Sequence, residues 1–264
     1  MFIPYCTGDL HAGQAKTYID YAGEQNFAGY NNATLAFKYI VQALVPHLKS
    51  NAEVMLAGLS AGGFGALINA PKLHGLLPSH IPMTVLDDSA PPFTSDLLQE
   101  CQQERWYNTW GFANTFDKDA CDSCTPRNWL NPFFQEFLKN KPYVGFSLAS
   151  NTDDQLLQSF SWLFTDLANC RYDPSAPAYR RGLEKIRQQM KDLRALQENT
   201  GTYYVLGSPD HCFIGDNRYF STNIYDSAWR RWPLRNWVES QFDRSVPGTP
   251  APRRYSHLAG IRGF

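Results

Sequence analysis

The chain lacks an apolar run long enough to span a bilayer, and it lacks an excess of either charge. Its 24 Lys and Arg residues are balanced by 25 Asp and Glu residues, so the formal net charge is −1. A chain without a strong positive charge has no electrostatic attraction to nucleic acid or to an acidic membrane surface. We therefore expect no nucleic-acid partner and no transmembrane segment. The 264 residues suffice for one large α/β domain with a substantial core.

Several nucleotide and metal signatures are also missing. No Gly-Lys-Ser/Thr follows a glycine-rich turn, and no regular Gly-x-Gly-x-x-Gly is present. The six cysteines include one Cys-x-x-Cys pair, Cys121 and Cys124, with no histidine at zinc-finger spacing. We expect disulfides or free thiols rather than a metal site, and we expect no cofactor. An even cysteine count fits an oxidising compartment.

A serine stands at the apex of a turn of small residues. Residues 58–62 read Gly-Leu-Ser-Ala-Gly and directly follow the apolar run 54–57. A buried strand, a tight turn around one serine and then a helix form the layout of a nucleophile elbow. We expect Gly58 and Gly62 to let the helix start close to the strand. The N–H of Ala61 would then point at the oxyanion of a bound ester.

Apolar strands alternate with helices along the chain, which favours a mostly parallel sheet with helices on both faces. The pattern predicts strands at residues 2–5, 54–57, 83–86, 143–148 and 202–206. It predicts helices at residues 33–48, 61–70, 155–168, 178–198 and 228–241. The second helix is expected to stop before Pro71. In parallel sheets ligands bind beyond the carboxyl ends of the strands, where the candidate residues lie.

The domain boundaries follow from changes in composition. We expect one domain over residues 1–243, with a cap or lid inserted at about residues 91–142, where periodicity is weak. Residues 244–264 are rich in Pro, Gly and Arg and are expected to form a poorly ordered tail.

A serine hydroxyl needs a base to take its proton, and the base needs a carboxylate to orient it. His211 is the best candidate base, because it follows a late strand in a short loop. A loop histidine bonded to Asp210 is the alternative interpretation. His11 also follows a predicted strand and is a candidate for substrate contact.

Two pairs of aspartates are candidates for the acid. Asp153 and Asp154 follow a late strand, and Asp87 and Asp88 follow the strand after the elbow. The chain order Ser, Asp, His of α/β-hydrolases gives Ser60, Asp153 or Asp154, and His211. Some hydrolases instead use an acid after the strand that follows the elbow, where Asp87 and Asp88 lie. An aspartate in such a place can also cap the next helix.

Three sequence blocks carry a resemblance to the pectinacetylesterase family, which includes the Notum carboxylesterases. They are residues 3–13 (IPYCTGDLHAG), residues 27–31 (FAGYN) and residues 58–65 (GLSAGGFG). Residues 150–160 resemble the acid loop of the family, and His211 lies where its late histidine is expected.

This resemblance implies an α/β-hydrolase-like fold and a Ser60, Asp154, His211 triad that deacylates esters. Spacing to Phe160 favours Asp154 over Asp153. Family members carry a glycine-rich segment before residues 4–6 that supplies another oxyanion N–H, so the N-terminal part of the fold is expected to be missing here. Members are commonly secreted or periplasmic.

We therefore expect a serine carboxylic ester hydrolase that removes acetyl groups from a polysaccharide. One alternative is a deacylase of longer acyl chains on lipid or protein. Another is a catalytically dead carbohydrate-binding scaffold on the same fold.

Overall fold

The computed structural model describes residues 1–49, 52–115, 121–141, 144–163, 176–196, 200–205, 208–215, 217–225 and 231–242. The strands are β1 (Ala15–Ile19), β2 (Gly23–Phe27), β3 (Val54–Leu59), β4 (Met83–Asp88), β5 (Val144–Asn151), β6 (Thr200–Val205), β7 (Asn223–Tyr225) and β8 (Arg231–Pro233). The α-helices are α1 (Gly29–Leu44), α2 (Ala61–Leu76), α3 (Glu100–Trp110), α4 (Leu130–Asn140), α5 (Gln155–Leu163), α6 (Ala176–Leu196), α7 (Arg218–Ser221) and α8 (Leu234–Phe242).

A parallel sheet organises these elements. It has the order β3-β4-β5-β6, and Val54, Met83 and Val144 lie side by side in register. Every residue of β4 and β5 is buried, as expected for strands covered on both faces. Two antiparallel hairpins, β1-β2 and β7-β8, lie outside this sheet. The predicted α/β class with a parallel sheet flanked by helices is confirmed.

The two faces of the sheet bury different clusters, because side chains alternate along a strand. Met83 and Val85 of β4 belong to the larger cluster, together with buried residues of α2, α4 and α6. Leu86 of β4 points the other way and packs with Trp237 and Val238 of α8. Helices therefore cover both faces, and the strand ends between them remain available for a site.

One predicted strand does not form, one predicted helix end is wrong, and the helix predicted at residues 33–48 lies at Gly29–Leu44. Residues 2–5 form no strand: Phe2 is 82% exposed, and Pro4 has no backbone N–H to donate to a ladder. Helix α2 does not stop before Pro71 but continues to Leu76. Nine of its 16 residues are buried, and this packing outweighs the single backbone hydrogen bond that a proline removes.

The described part of the predicted cap region contains two helices, α3 and α4, that the weak periodicity did not predict. Helix α4 packs on the sheet, where the ring of Phe134 lies edge-on to the ring of Phe146 with centroids 4.9 Å apart. Trp129 and Phe137 are also buried. The C-terminal part of this region therefore contributes to the core, and its role as a cap stays a prediction.

Some predictions concern residues outside the described part. They include the predicted tail at 244–264, residues 164–168 of the helix predicted at 155–168, residues 197–198 of the helix predicted at 178–198, and residues 228–230 of the helix predicted at 228–241. Among the described helices, none combines the length and the apolar character that crossing a bilayer demands.

Candidate active site

Ser60 sits at the junction of β3 and α2 in a strained backbone conformation. Its φ is +53° and its ψ is −121°, a left-handed region that side chains rarely adopt. Its N–H donates to the carbonyl of Asp88 at 2.8 Å, and its own carbonyl accepts the N–H of Gly63 at 2.8 Å. Ala61 is the first residue of α2, where backbone N–H groups have no acceptor within the helix.

Of the two glycines that flank Ser60 in the motif, Gly58 is the one that close packing demands. A Cβ on Gly58 would overlap the carbonyl of Gly62, whereas a Cβ on Gly62 would meet open space. The expectation that both positions need glycine to avoid a Cβ clash is therefore wrong for Gly62. The backbone carbonyl of Gly62 in α2 lies so close to β3 that residue 58 has no room for a side chain.

His211 and Asp154 are joined across two loops. The His211 Nδ1 atom lies 2.6 Å from the Asp154 Oδ2 atom, and the Asp154 side chain is fully buried. The side chain of His211 is 14% exposed. Its other ring nitrogen, Nε2, is buried and has no hydrogen-bond partner among the described residues. The contact with Asp154 at Nδ1 therefore orients the imidazole ring, and Nε2 makes no hydrogen bond with the described residues.

Asp154 also caps the helix that follows it. Its Oδ1 atom accepts the N–H of Leu157 in α5 at 2.9 Å, while Oδ2 faces His211. The structure therefore assigns both interpretations of this aspartate, helix cap and histidine partner, to the same carboxylate. The cap at Oδ1 and the contact with His211 at Oδ2 together fix the orientation of the carboxylate.

Asp153 has a different partner. Arg180 of α6 makes a two-point contact with its carboxylate, Nε and Nη2 each lying 2.5 Å from an oxygen. The N–H of Asp153 also donates to the carbonyl of Ser208 at 3.2 Å, and the N–H of Gln155 donates to that of Pro209 at 3.1 Å. These contacts tie the acid loop to the loop that carries His211. No sequence pattern indicated Arg180, which lies 27 residues from Asp153 along the chain.

The alternative acid Asp88 is engaged with backbone groups. Its Oδ2 atom accepts the N–H groups of Phe213 and Ile214 at 2.7 and 2.8 Å, and its Oδ1 atom accepts the hydroxyl of Ser89 at 3.0 Å. Burial raises the pKa of Asp88, and these donors oppose the rise. The hydrogen bonds of Asp88 are therefore with the backbone just after His211 and not with the imidazole ring.

Asp87, the other alternative acid, faces the opposite side of the sheet. Its Oδ1 atom accepts the N–H of Ala90 at 2.9 Å, and a Cβ on Gly63 of α2 would collide with it. Its Oδ2 atom is buried without a hydrogen-bond partner in the described residues. Burial raises the pKa of Asp87 well above its usual range, and the charge of Asp88 adds to the rise. The structure places Asp87 against α2, and its described hydrogen bond is to Ala90 rather than to His211.

His11 lies beside α2 and is not brought into the His211–Asp154 pair. Its ring packs on the ring of Tyr5 with centroids 4.7 Å apart, and its carbonyl accepts the amide of Asn69 at 2.9 Å. Burial lowers the pKa of His11, although the charge of Asp9 opposes this. These contacts fix the loop against α2, and substrate contact by His11 stays a prediction.

The described cysteines are in disulfides or are free thiols. Cys121 and Cys124 form a disulfide, and Cys101 is also disulfide-bonded. Cys212 is a free thiol next to His211, and burial raises its pKa far above the ordinary value, so its thiol is a poor nucleophile. Across the described ranges, no group of three or more His, Cys, Asp and Glu side chains is placed to hold a metal ion.

Comparison with known proteins gives two findings. The sequence model of the pectinacetylesterase family matches residues 1–223. Palmitoleoyl-protein carboxylesterase notum2 of Xenopus laevis is 37% identical over 79 residues, which cover 29% of this chain and 15% of that protein. The match to that relative is therefore local, whereas the family match extends over most of the chain. The chain belongs to the pectinacetylesterase family, a family of carboxylesterases.

Proposed function

We propose that this chain is a serine carboxylesterase of α/β-hydrolase type with Ser60 as nucleophile, His211 as base and Asp154 as acid. The observation that carries the proposal is the 2.6 Å contact between His211 Nδ1 and Asp154 Oδ2, in a site where Nε2 of the same ring is unengaged within the described residues. A histidine in this state can accept a proton at Nε2 while the carboxylate stabilises the resulting imidazolium.

The proposed reaction has two halves. Ser60 Oγ attacks the ester carbonyl carbon as His211 Nε2 takes the hydroxyl proton, and the ester C–O bond breaks when that proton passes to the leaving alcohol. Water then attacks the acyl-serine with His211 again as base, and the carboxylic acid and free Ser60 are released. Asp154 accepts the Nδ1–H of His211 throughout and keeps the ring oriented.

Ala61 is proposed to stabilise the negative charge that develops on the carbonyl oxygen. Its N–H lies in the first turn of α2, where the helix dipole is positive. A backbone donor is already oriented before reaction, so little free energy is lost in organising it.

We propose acetyl esters of a polysaccharide as substrates, in keeping with the family description. The matched relative is described as acting on a palmitoleoyl-protein, so a longer acyl chain is the competing class. Disulfide-bonded cysteines support an oxidising compartment, and we propose a secreted or periplasmic location on that ground.

The test is hydrolysis of 4-nitrophenyl esters from acetate to palmitate by the wild-type chain and by Ser60→Ala. Ser221→Ala is the matched control, because Ser221 is exposed in α7. We expect Ser60→Ala to lose at least about 10,000-fold in kcat and Ser221→Ala to be unchanged.

The same series tests the substrate class. The highest kcat/KM on acetate supports the acetylesterase assignment, and the highest on long chains supports the alternative deacylase. Full activity in Ser60→Ala would overturn the mechanism. Binding of an acetylated polysaccharide by folded wild-type protein without turnover would indicate a dead scaffold.

A further inference from the structure

Asp88 contacts the nucleophile elbow through its backbone. It is the last residue of β4 and is completely buried. Its carbonyl accepts the N–H of Ser60 at 2.8 Å, which fixes the residue that carries the nucleophilic hydroxyl. A displacement of Asp88 would therefore move the peptide unit of Ser60.

The same residue contacts the histidine loop, residues 208–215, through its side chain. Oδ2 of Asp88 accepts two consecutive backbone N–H groups, those of Phe213 and Ile214, at 2.7 and 2.8 Å. These residues lie two and three positions after His211. Both bonds are charge-assisted when Asp88 is ionised, and such bonds are stronger than those between neutral groups.

Ser89 extends this bridge by one residue. Its hydroxyl donates to Asp88 Oδ1 at 3.0 Å and accepts the N–H of Cys212 at 3.1 Å. Three consecutive backbone N–H groups after His211 are thus held by two consecutive side chains at the end of β4. A loop held in this way cannot shift His211 without breaking several buried hydrogen bonds.

Three of the residues linked by this bridge have left-handed backbones. The φ angles are +53° at Ser60, +66° at Ser89 and +59° at Cys212. Residues other than glycine rarely adopt such conformations, and they persist when surrounding contacts over-determine them. The hydrogen bonds of Asp88 and Ser89 are contacts of this kind at all three positions.

We propose that Asp88 is a positioning residue that sets the placement of Ser60 relative to His211. This inference rests on the proposed function, because it assumes that these two residues react together. The described hydrogen bonds of the Asp88 side chain go to Ser89, Phe213 and Ile214 rather than to the side chain of Ser60 or His211. Asp88 acts through the peptide of Ser60 on one side and through the backbone after His211 on the other, with Ser89 as its partner.

The test compares Asp88→Asn with Asp87→Asn in the full chain. Asparagine keeps the volume but replaces one accepting oxygen with an N–H₂ group, so it cannot accept the two backbone N–H groups and the Ser89 hydroxyl on separate oxygens. The bonds that it keeps are no longer charge-assisted. We expect Asp88→Asn to lower kcat on 4-nitrophenyl acetate by about 100-fold with KM unchanged, because small misplacements of reacting groups carry losses of that size. Asp87→Asn is the matched control: it changes the adjacent buried carboxyl, which faces α2, and we expect wild-type kcat.

A fluorophosphonate probe separates positioning from folding. For each variant we would measure the final labelled fraction, which counts competent sites, and the labelling rate constant. A positioning role predicts a wild-type final fraction in Asp88→Asn with a rate constant lowered in parallel with kcat. A purely structural role would lower the labelled fraction and leave kcat per labelled site unchanged, which would overturn the proposal.

Ser89→Ala is a second variant that tests the positioning role if Asp88→Asn does not fold. It removes the acceptor of the Cys212 N–H but keeps the carboxylate, so we expect a fall in kcat per labelled site by about tenfold. The positioning role is contradicted if both variants keep the wild-type kcat per labelled site. If Asp88→Asn does not fold, a wild-type kcat per labelled site in Ser89→Ala alone contradicts it. Activity retained in Ser60→Ala would contradict the proposed function itself. An inactive Ser60→Ala together with fully active Asp88 and Ser89 variants would contradict only the positioning role.

Discussion

The Oδ2 atom of Asp154 lies 2.6 Å from the Nδ1 atom of His211, across 57 residues of sequence. The other oxygen of the same carboxylate caps α5 through the N–H of Leu157. A single buried side chain therefore fixes both the start of a helix and the orientation of an imidazole. Its neighbour Asp153 is engaged by Arg180 instead, so the two adjacent aspartates have separate roles.

The first prediction contrasts these neighbours. Asp154→Asn should lower kcat by about 10,000-fold, because an amide no longer favours the imidazolium or the required ring tautomer. Asp153→Asn breaks a partly exposed ion pair and should cost less than about tenfold. Steady-state hydrolysis of 4-nitrophenyl acetate measures both. Equal losses in the two variants would contradict the assignment of Asp154 as the acid.

The second prediction concerns the elbow. Gly58→Ala should destabilise the protein by more than about 3 kcal/mol, since its Cβ would overlap the carbonyl of Gly62 and the backbone must move. Gly62→Ala should change the free energy of unfolding by no more than about 1 kcal/mol, because its Cβ meets open space. Urea unfolding of both variants gives the comparison. A Gly62→Ala variant as unstable as Gly58→Ala would show that the elbow packs differently.

The third prediction is a pH dependence of stability at Asp87. Burial raises the pKa of Asp87 well above its usual range, so the folded state favours the protonated carboxyl. Its contribution to stability is fully present below the ordinary aspartate pKa and is lost as pH rises through the folded-state pKa. Asparagine stays neutral throughout. Asp87→Asn should therefore gain stability over wild type at pH 8, and the gain should diminish towards pH 4.

The measurement is the urea midpoint of wild type and Asp87→Asn at both pH values. Leu86→Ala, from the same strand, is the control, because it changes packing without a titrating group and should give the same difference at either pH. A pH-independent difference for Asp87→Asn would contradict a raised pKa at this position.

Local patterns predicted the elements that carry the site. The apolar run 54–57 and the small residues after it predicted β3 and the start of α2, because a buried strand and a tight turn leave strong local signals. The alternation of strands and helices likewise predicted the parallel sheet. The resemblance to the pectinacetylesterase family is confirmed by the match over residues 1–223.

Other features depend on contacts that no local pattern carries. Helix α2 continues through Pro71 because its buried surface compensates for a missing hydrogen bond, which periodicity alone cannot weigh. The β1-β2 hairpin has an alternating pattern over only five residues in each strand. The contact of Asp88 with Phe213 joins residues 125 positions apart. The family resemblance, through the spacing to Phe160 in the acid loop, favoured Asp154 over Asp153, but it did not indicate that Arg180 engages Asp153.

The central claim is that Ser60 is activated by the His211–Asp154 pair, and covalent labelling tests it most directly. Folded wild-type protein would be treated with a fluorophosphonate probe, digested and mapped by mass spectrometry, with Ser60→Ala and Asp154→Asn in parallel. The account predicts label on the peptide that contains Ser60, none in Ser60→Ala and much slower labelling in Asp154→Asn. Label on another residue, or none on folded wild-type protein, would contradict it.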